Sequence, residues 1–326
     1  MKRVLRYLVL ALLGAVVSCA ALFAYFLYVP EVAQPVLSGR LAKGTIEVGG
    51  LRRAYTSYVP KGLPGNAPLV VVMHGSGENA AQIRSGTGYG FERLADRHGF
   101  AVVYPESFTF DWNDCSTVGE FTAQGKPVDD LGFLAALTDR LAGELQLDRS
   151  RIFATGVSAG GSMAIRLALD APARFRAVAA VAANVPRADN FKCTPDGQSA
   201  PVMLMNGTQD PLVPFDGGEV NLLGMFFKAG QVLSARESAA FFARRNGLAG
   251  APASSRTQQA DGVAVERVRY PGTVEVELVA IHGGGHSLPQ PYRRPRLLGP
   301  SPLAPDGAQM IWDFFARQPQ RPVQAG

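Results

Sequence analysis

A serine hydroxyl becomes a strong nucleophile only when a neighbouring base takes its proton, and this chain has four histidines in 326 residues to serve as that base. Among its serines Ser158 stands out, in Gly156-Val157-Ser158-Ala159-Gly160. The pentapeptide follows the run Arg151 to Thr155 and precedes Ser162 to Leu167, the pattern of a strand, a sharp turn and a helix. Glycines belong on both sides of such a serine, because the turn is strained and crowds its neighbours. The plainer alternative is a serine that caps a helix.

His286 lies in Gly283-Gly284-Gly285-His286-Ser287, a flexible loop after the last apolar run, where the base of a Ser, acid, His order belongs. His282 ends that run and reads as structural, and His98 before Gly99 reads as a helix C-terminal residue. His74 opens His74-Gly75-Ser76-Gly77 after an apolar strand, an arrangement suited to binding an oxyanion. The expected donors are therefore the N–H of Ala159 and one from Gly75 or Ser76. The acid is expected at Asp210, just past the run Pro201 to Met205, with Asp216 as its main competitor and Asp189 and Asp196 as weaker ones. A surface-turn aspartate is the alternative for Asp210. Trp112 and Phe226, with Phe108, Phe110 and Phe227, lie in long loops and are candidates to line a substrate pocket or to pack on the core.

These residues need a scaffold that holds loops at one edge, and the hydrophobic pattern supplies it. Uninterrupted apolar runs such as Leu69 to Met73 suit strands buried on both faces of a parallel sheet. Strands are expected near 52–60, 68–73, 100–104, 151–156, 177–182, 201–205, 263–270 and 274–281. Helices are expected near 91–98, 128–145, 160–170, 234–246 and 305–317. Alternation of this kind makes an α/β fold, a doubly wound, mostly parallel sheet with helices on both faces. Irregular stretches at 76–89, 107–127 and 211–231 follow strand ends, where such folds build their sites. Asp129 and Asp130 precede a periodic helix and read as capping or first-turn residues.

From Tyr7 to Val29 the chain carries no charge, and Lys2, Arg3 and Arg6 precede it, so residues 1–29 read as a signal-anchor or signal sequence with the domain outside the cytoplasm. Val16-Val17-Ser18-Cys19 also resembles a lipoprotein cleavage box. Residues 30–43 read as a tether, 44–318 as the catalytic domain and 319–326 as a tail. The net charge of +5 is accounted for by the N-terminal cluster and by Arg293, Arg294 and Arg296. No basic stripe with interleaved aromatics suits nucleic acid. No ligand spacing suits a metal, and Gly283-Gly284-Gly285 lacks the helix that a nucleotide phosphate loop needs, so no cofactor is implied. In an oxidising compartment Cys115 and Cys193 are candidates for a disulfide, with two unpaired thiols as the alternative.

With these segments in order, the chain resembles the polyhydroxybutyrate depolymerase and feruloyl esterase family of extracellular α/β-hydrolases. The likeness covers residues 44–318. It rests on seven ordered blocks: Arg53 to Pro60, Val71 to Gly75, Val128 to Phe133, Gly156 to Gly161, Asn206 to Pro214, Gly283 to Ser287 and Ile311 to Phe315. The resemblance implies an α/β-hydrolase fold, with Ser158 as nucleophile, Asp210 as acid and His286 as base acting on a small or polymeric ester. Where family members often have Trp-Pro-Gly after the histidine loop, this chain has Leu288-Pro289-Gln290, so the expected activity is that of a carboxylic-ester hydrolase. A serine peptidase or acyltransferase on the same fold, or a membrane-tethered binding module on a dead hydrolase fold, are the alternatives.

Overall fold

The computed structural model of the chain describes residues 2–118, 122–123, 126–195, 197–221, 228–259 and 262–319. Ten strands form one sheet: β1 (Arg40–Val48), β2 (Leu51–Val59), β3 (Leu69–Met73), β4 (Ala101–Pro105), β5 (Ile152–Val157), β6 (Ala177–Val181), β7 (Val202–Gly207), β8 (Ala253–Gln258), β9 (Ala264–Tyr270) and β10 (Val276–Ile281). Their spatial order is β1-β2-β4-β3-β5-β6-β7-β10-β9-β8. The six central strands pair parallel. Antiparallel strands close both edges.

Strand side chains alternate between two cores, which is why the central runs are mainly apolar. Leu69, Val71 and Met73 face one core with α4 (Asp130–Glu144), α5 (Ala159–Asp170) and α6 (Ala235–Arg245). Val70 and Val72 face the other, with α2 (Ala80–Gly86), α3 (Gly90–His98) and α7 (Gly307–Ala316). In the second core Phe153 stacks on Phe315 at 4.8 Å and Phe100 on Trp312 at 4.1 Å. The remaining helix, α1 (Lys2–Phe26), is apolar and none of its hydrophobic window is buried against the domain.

Among the ten strands of this sheet and the seven described α-helices, three elements lie outside the sequence expectation. Strand β1 starts at Arg40, taking in the last residues of the stretch read as a tether, and its alternation is weak because both faces stay partly exposed. Strand β8 is exposed along its whole length and has no apolar period to betray it; its ladder to β9 holds it. Helix α2 falls in the stretch read as irregular and starts where the Asn79 side chain accepts the Gln82 N–H at 3.0 Å.

The pocket-side loops are tied down by buried polar contacts. Asp129 caps α4 by accepting the Gly132 N–H at 2.7 Å. Asp130 points into the core instead, pairing with Arg53 at 2.6 Å and accepting the Asn113 N–H at 2.8 Å. The Arg53 guanidinium also lies 4.0 Å over the Phe133 ring. Cys115 and Cys193 form a disulfide across a separation of 78 residues, joining the loop after β4 to the segment between β6 and β7. A cross-link that closes so long a loop restricts the unfolded chain. The Cys115→Ala/Cys193→Ala double variant should therefore lose about 2–5 kcal/mol of stability in urea denaturation, with a steeper slope because its unfolded chain is less compact. A loss below about 1 kcal/mol would show that the neighbouring backbone contacts already hold the loop.

Candidate functional site

Strand β5 ends at Val157, Ser158 takes φ 57° and ψ −121°, and α5 starts at the next residue. A non-glycine residue so placed costs on the order of 1–3 kcal/mol, which the surroundings must offset. They do so by contact: the Ser158 N–H donates to the Val181 carbonyl at 2.9 Å, fixing the turn to β6. The turn also sits on the end of β3, where a Cβ at Gly160 would stand 2.3 Å from the Met73 carbonyl oxygen and 2.7 Å from that of His74. Only glycine fits there. As a result Gly75 lies beside the serine, its notional Cβ 3.5 Å from Ser158 Cβ.

His286 comes from the loop after β10, and its Nδ1 lies 2.8 Å from Asp210 Oδ2. Since a carboxylate only accepts, Nδ1 carries the proton and Nε2 is left with its lone pair. The other Asp210 oxygen accepts the N–H groups of Leu212 at 2.8 Å and Val213 at 2.9 Å, so both oxygens are held. Both side chains are buried. Ser158 and His286 line one cavity of about 450 Å³, together with Gly75, Ser76 and Ala159. Asp210 stands behind the imidazole. Among the described residues it is the carboxylate bonded to His286, and Asp216 and Asp189 are not.

The remaining histidines sit elsewhere. His282 Nε2 meets Glu266 at 3.1 Å, and His98 stacks on Trp312 at 5.4 Å. His74 braces its own loop: its Nε2 accepts the Ser107 N–H at 3.0 Å while its Nδ1 lies 2.8 Å from the Gly75 carbonyl. Trp112 lines the cavity but is almost wholly buried, and its indole N–H donates to the His74 carbonyl at 2.9 Å. Phe226, Phe227 and Asp196 lie outside the described residues. Among the described residues no cluster of histidine, cysteine and carboxylate side chains is placed to hold a metal ion.

The two candidates for the second oxyanion donor differ in their surroundings. The Gly75 N–H donates to Glu78 Oε2 at 3.1 Å, and the other Glu78 oxygen meets Arg294 at 3.0 Å. Ser76 spends its hydroxyl on Asp111 at 2.8 Å, and among the described residues its N–H meets no acceptor. The Ala159 N–H is the first of α5, where a helix leaves its donors without intrahelical partners. Glu78, Asp111 and Arg294 all line the cavity, and the sequence signalled none of these roles. Arg294 had been visible only as one member of a basic cluster.

Burial raises the Asp111 carboxyl from the ordinary 3.8 to about 6, against the opposing hydrogen bonds from Ser76 and the Trp112 N–H. The fold therefore favours protonated Asp111. Its contribution to stability is complete below about pH 4 and is lost as pH rises through about 6. Replacing Asp111 with Asn removes this titration and leaves a constant offset. The difference in thermal midpoint, variant minus parent, should accordingly grow between about pH 4 and pH 8. A difference that stays flat across that range would refute the assignment.

Comparison with known proteins places the chain among esterases. The sequence model of the family described as Esterase PHB depolymerase matches residues 53–193. A probable feruloyl esterase C of Aspergillus niger is 30% identical, over 84% of this chain and 87% of that protein. Poly(3-hydroxyalkanoate) depolymerase C of Paucimonas lemoignei is 31% identical over 44% of this chain and 33% of its own length. Among solved structures, an acetyl xylan esterase from Aspergillus awamori superposes with a TM-score of 0.60 at 18% identity, covering 85% of this chain and 99% of that one. The fold is that of the α/β-hydrolases.

Proposed function

This chain belongs to the esterase family that holds the polyhydroxybutyrate depolymerases and feruloyl esterases, and from that membership we propose that it cleaves carboxylic esters through Ser158, His286 and Asp210. The observation that carries the reading is the 2.8 Å contact of Asp210 with the Nδ1 of His286, a residue that lines the same cavity as Ser158. With the proton fixed on Nδ1, Nε2 takes the Ser158 proton as Oγ attacks the ester carbonyl. Asp210 then stabilises the imidazolium without accepting its proton. The N–H groups of Ala159 and Ser76 receive the developing oxyanion, where one such donor is worth about 10²–10³ in turnover. His286 returns its proton to the departing alcohol, and the same imidazole activates the water that releases the acyl group from Ser158.

The relatives cited above are named as esterases and a depolymerase, which supports ester hydrolysis over the peptidase and acyltransferase readings. The disulfide and the apolar N-terminal helix are consistent with a domain outside the cytoplasm. Ser158→Ala should reduce hydrolysis of p-nitrophenyl acetate by at least about 10⁴-fold and abolish fluorophosphonate labelling, with the thermal midpoint unchanged or raised. A variant that keeps a substantial fraction of the parent rate sinks Ser158 as nucleophile.

A further inference from the structure

The apolar helix and the cavity meet. The charge-free part of helix α1, from Tyr7 to Phe26, is long enough to cross a hydrocarbon core of about 30 Å, and Tyr25 near its C-terminal end and Tyr28 just beyond suit the lipid–water boundary. At that end the Arg296 guanidinium lies 4.2 Å over the Tyr25 ring. Arg296 begins a short turn of helix, Arg296–Leu298, and lies outside the cavity lining, which only the last residue of the turn reaches. Leu298 lines the cavity, and its carbonyl accepts the His286 N–H at 2.6 Å. The cavity wall therefore stands within one helical turn of the residue that contacts α1.

The surface around that contact has the chemistry of a bilayer-facing patch. Arg293 and Arg296 are exposed, and among the described residues neither forms an ion pair. Basic side chains so placed are attracted to anionic headgroups, about fivefold in association for each. At the cavity rim Phe110 is 57% exposed and Val118 47% exposed, and both line the cavity. A rim of large apolar side chains in water is costly, and burial in a lipid surface recovers it.

We propose that the mouth of the cavity docks on the anionic surface of the bilayer that α1 enters, and that its substrates are long-chain esters presented in that surface. Arg293 and Arg296 bind headgroups while Phe110 and Val118 enter the acyl region. An ester in that leaflet then reaches Ser158 without crossing bulk water. The substrate half of this proposal rests on the esterase reading above, whereas the docking half does not.

The test uses the full chain in vesicles of phosphatidylcholine, with and without phosphatidylglycerol. The parent should hydrolyse vesicle-borne p-nitrophenyl palmitate faster when phosphatidylglycerol is present. Arg293→Glu/Arg296→Glu should lower that rate by at least about tenfold while leaving soluble p-nitrophenyl acetate hydrolysis unchanged. Phe110→Trp should add fluorescence that acyl-brominated lipids quench. Equal palmitate rates for parent and charge-reversed chains, or an unquenched Phe110→Trp signal, overturn the proposal. A parent inactive on p-nitrophenyl acetate removes the esterase reading instead, and quenching still decides the docking.

Discussion

Where α5 crosses the end of β3 the two backbones touch, because position 160 has no side chain to hold them apart. That contact sets Ser158 against the 74–77 loop with no intervening side chain, so their separation does not depend on any rotamer. A second contact of the same kind fixes the other half of the site: a Cβ at Gly207 would stand 2.3 Å from the Gly284 carbonyl oxygen. Strand β7 and the histidine loop after β10 are thereby pressed together, and Asp210 leaves β7 only three residues later. Parallel pairing of β7 with β10 brings both loops to one edge of the sheet, where a doubly wound fold presents its ligands. The reacting geometry is thus a property of strand register and backbone contact, and side chains finish what the main chain has placed.

Around that frame the polar groups form a brace that extends to the sheet edge. Arg53 on β2 holds Asp130, Asp130 holds the Asn113 N–H, and the adjacent Trp112 and Asp111 reach the His74 carbonyl and the Ser76 hydroxyl. Burying an ion pair gains little by itself, since desolvation offsets most of the attraction. Removing one partner is the expensive event, at about 3–5 kcal/mol, because the other charge is then left buried alone. Such a chain of contacts adds little to stability but specifies one position for the 74–77 loop.

The parallel core was legible because β3, β4, β6, β7 and β10 are buried on both faces and read as mainly apolar runs, with Glu277 of β10 the charged exception. Strands β1 and β8 were not, since edge strands satisfy half their hydrogen bonds and little of their surface, leaving no period to detect. Ser158, His286 and Asp210 stand in short patterns whose spacing is dictated by turn geometry and is therefore local. Asp111 and Arg294 have no such signature. Asp111 meets Ser76 at a separation of 35 residues and Arg294 meets Glu78 at 216, so only the folded chain brings these pairs together.

The two carboxylates that grip the 74–77 loop pose an electrostatic problem for the proposed reaction, because negative charge develops beside them. Two unit charges about 5 Å apart cost about 3 kcal/mol at an effective dielectric of 20. That is close to the whole worth of one oxyanion donor, about 2.7–4 kcal/mol. The arrangement reduces the cost on each side in a different way. Glu78 is compensated by Arg294 at 3.0 Å, so its Gly75 contact presents a paired charge to the cavity. Burial raises the pKa of Asp111 to about 6, so its charge is already disfavoured there, and its two oxygens accept the Ser76 hydroxyl and the Trp112 N–H. The Gly75 N–H is already engaged, which favours the Ser76 N–H as the proposed second donor. Glu78 thus holds Gly75, next to the proposed donor, while Arg294 pairs its charge.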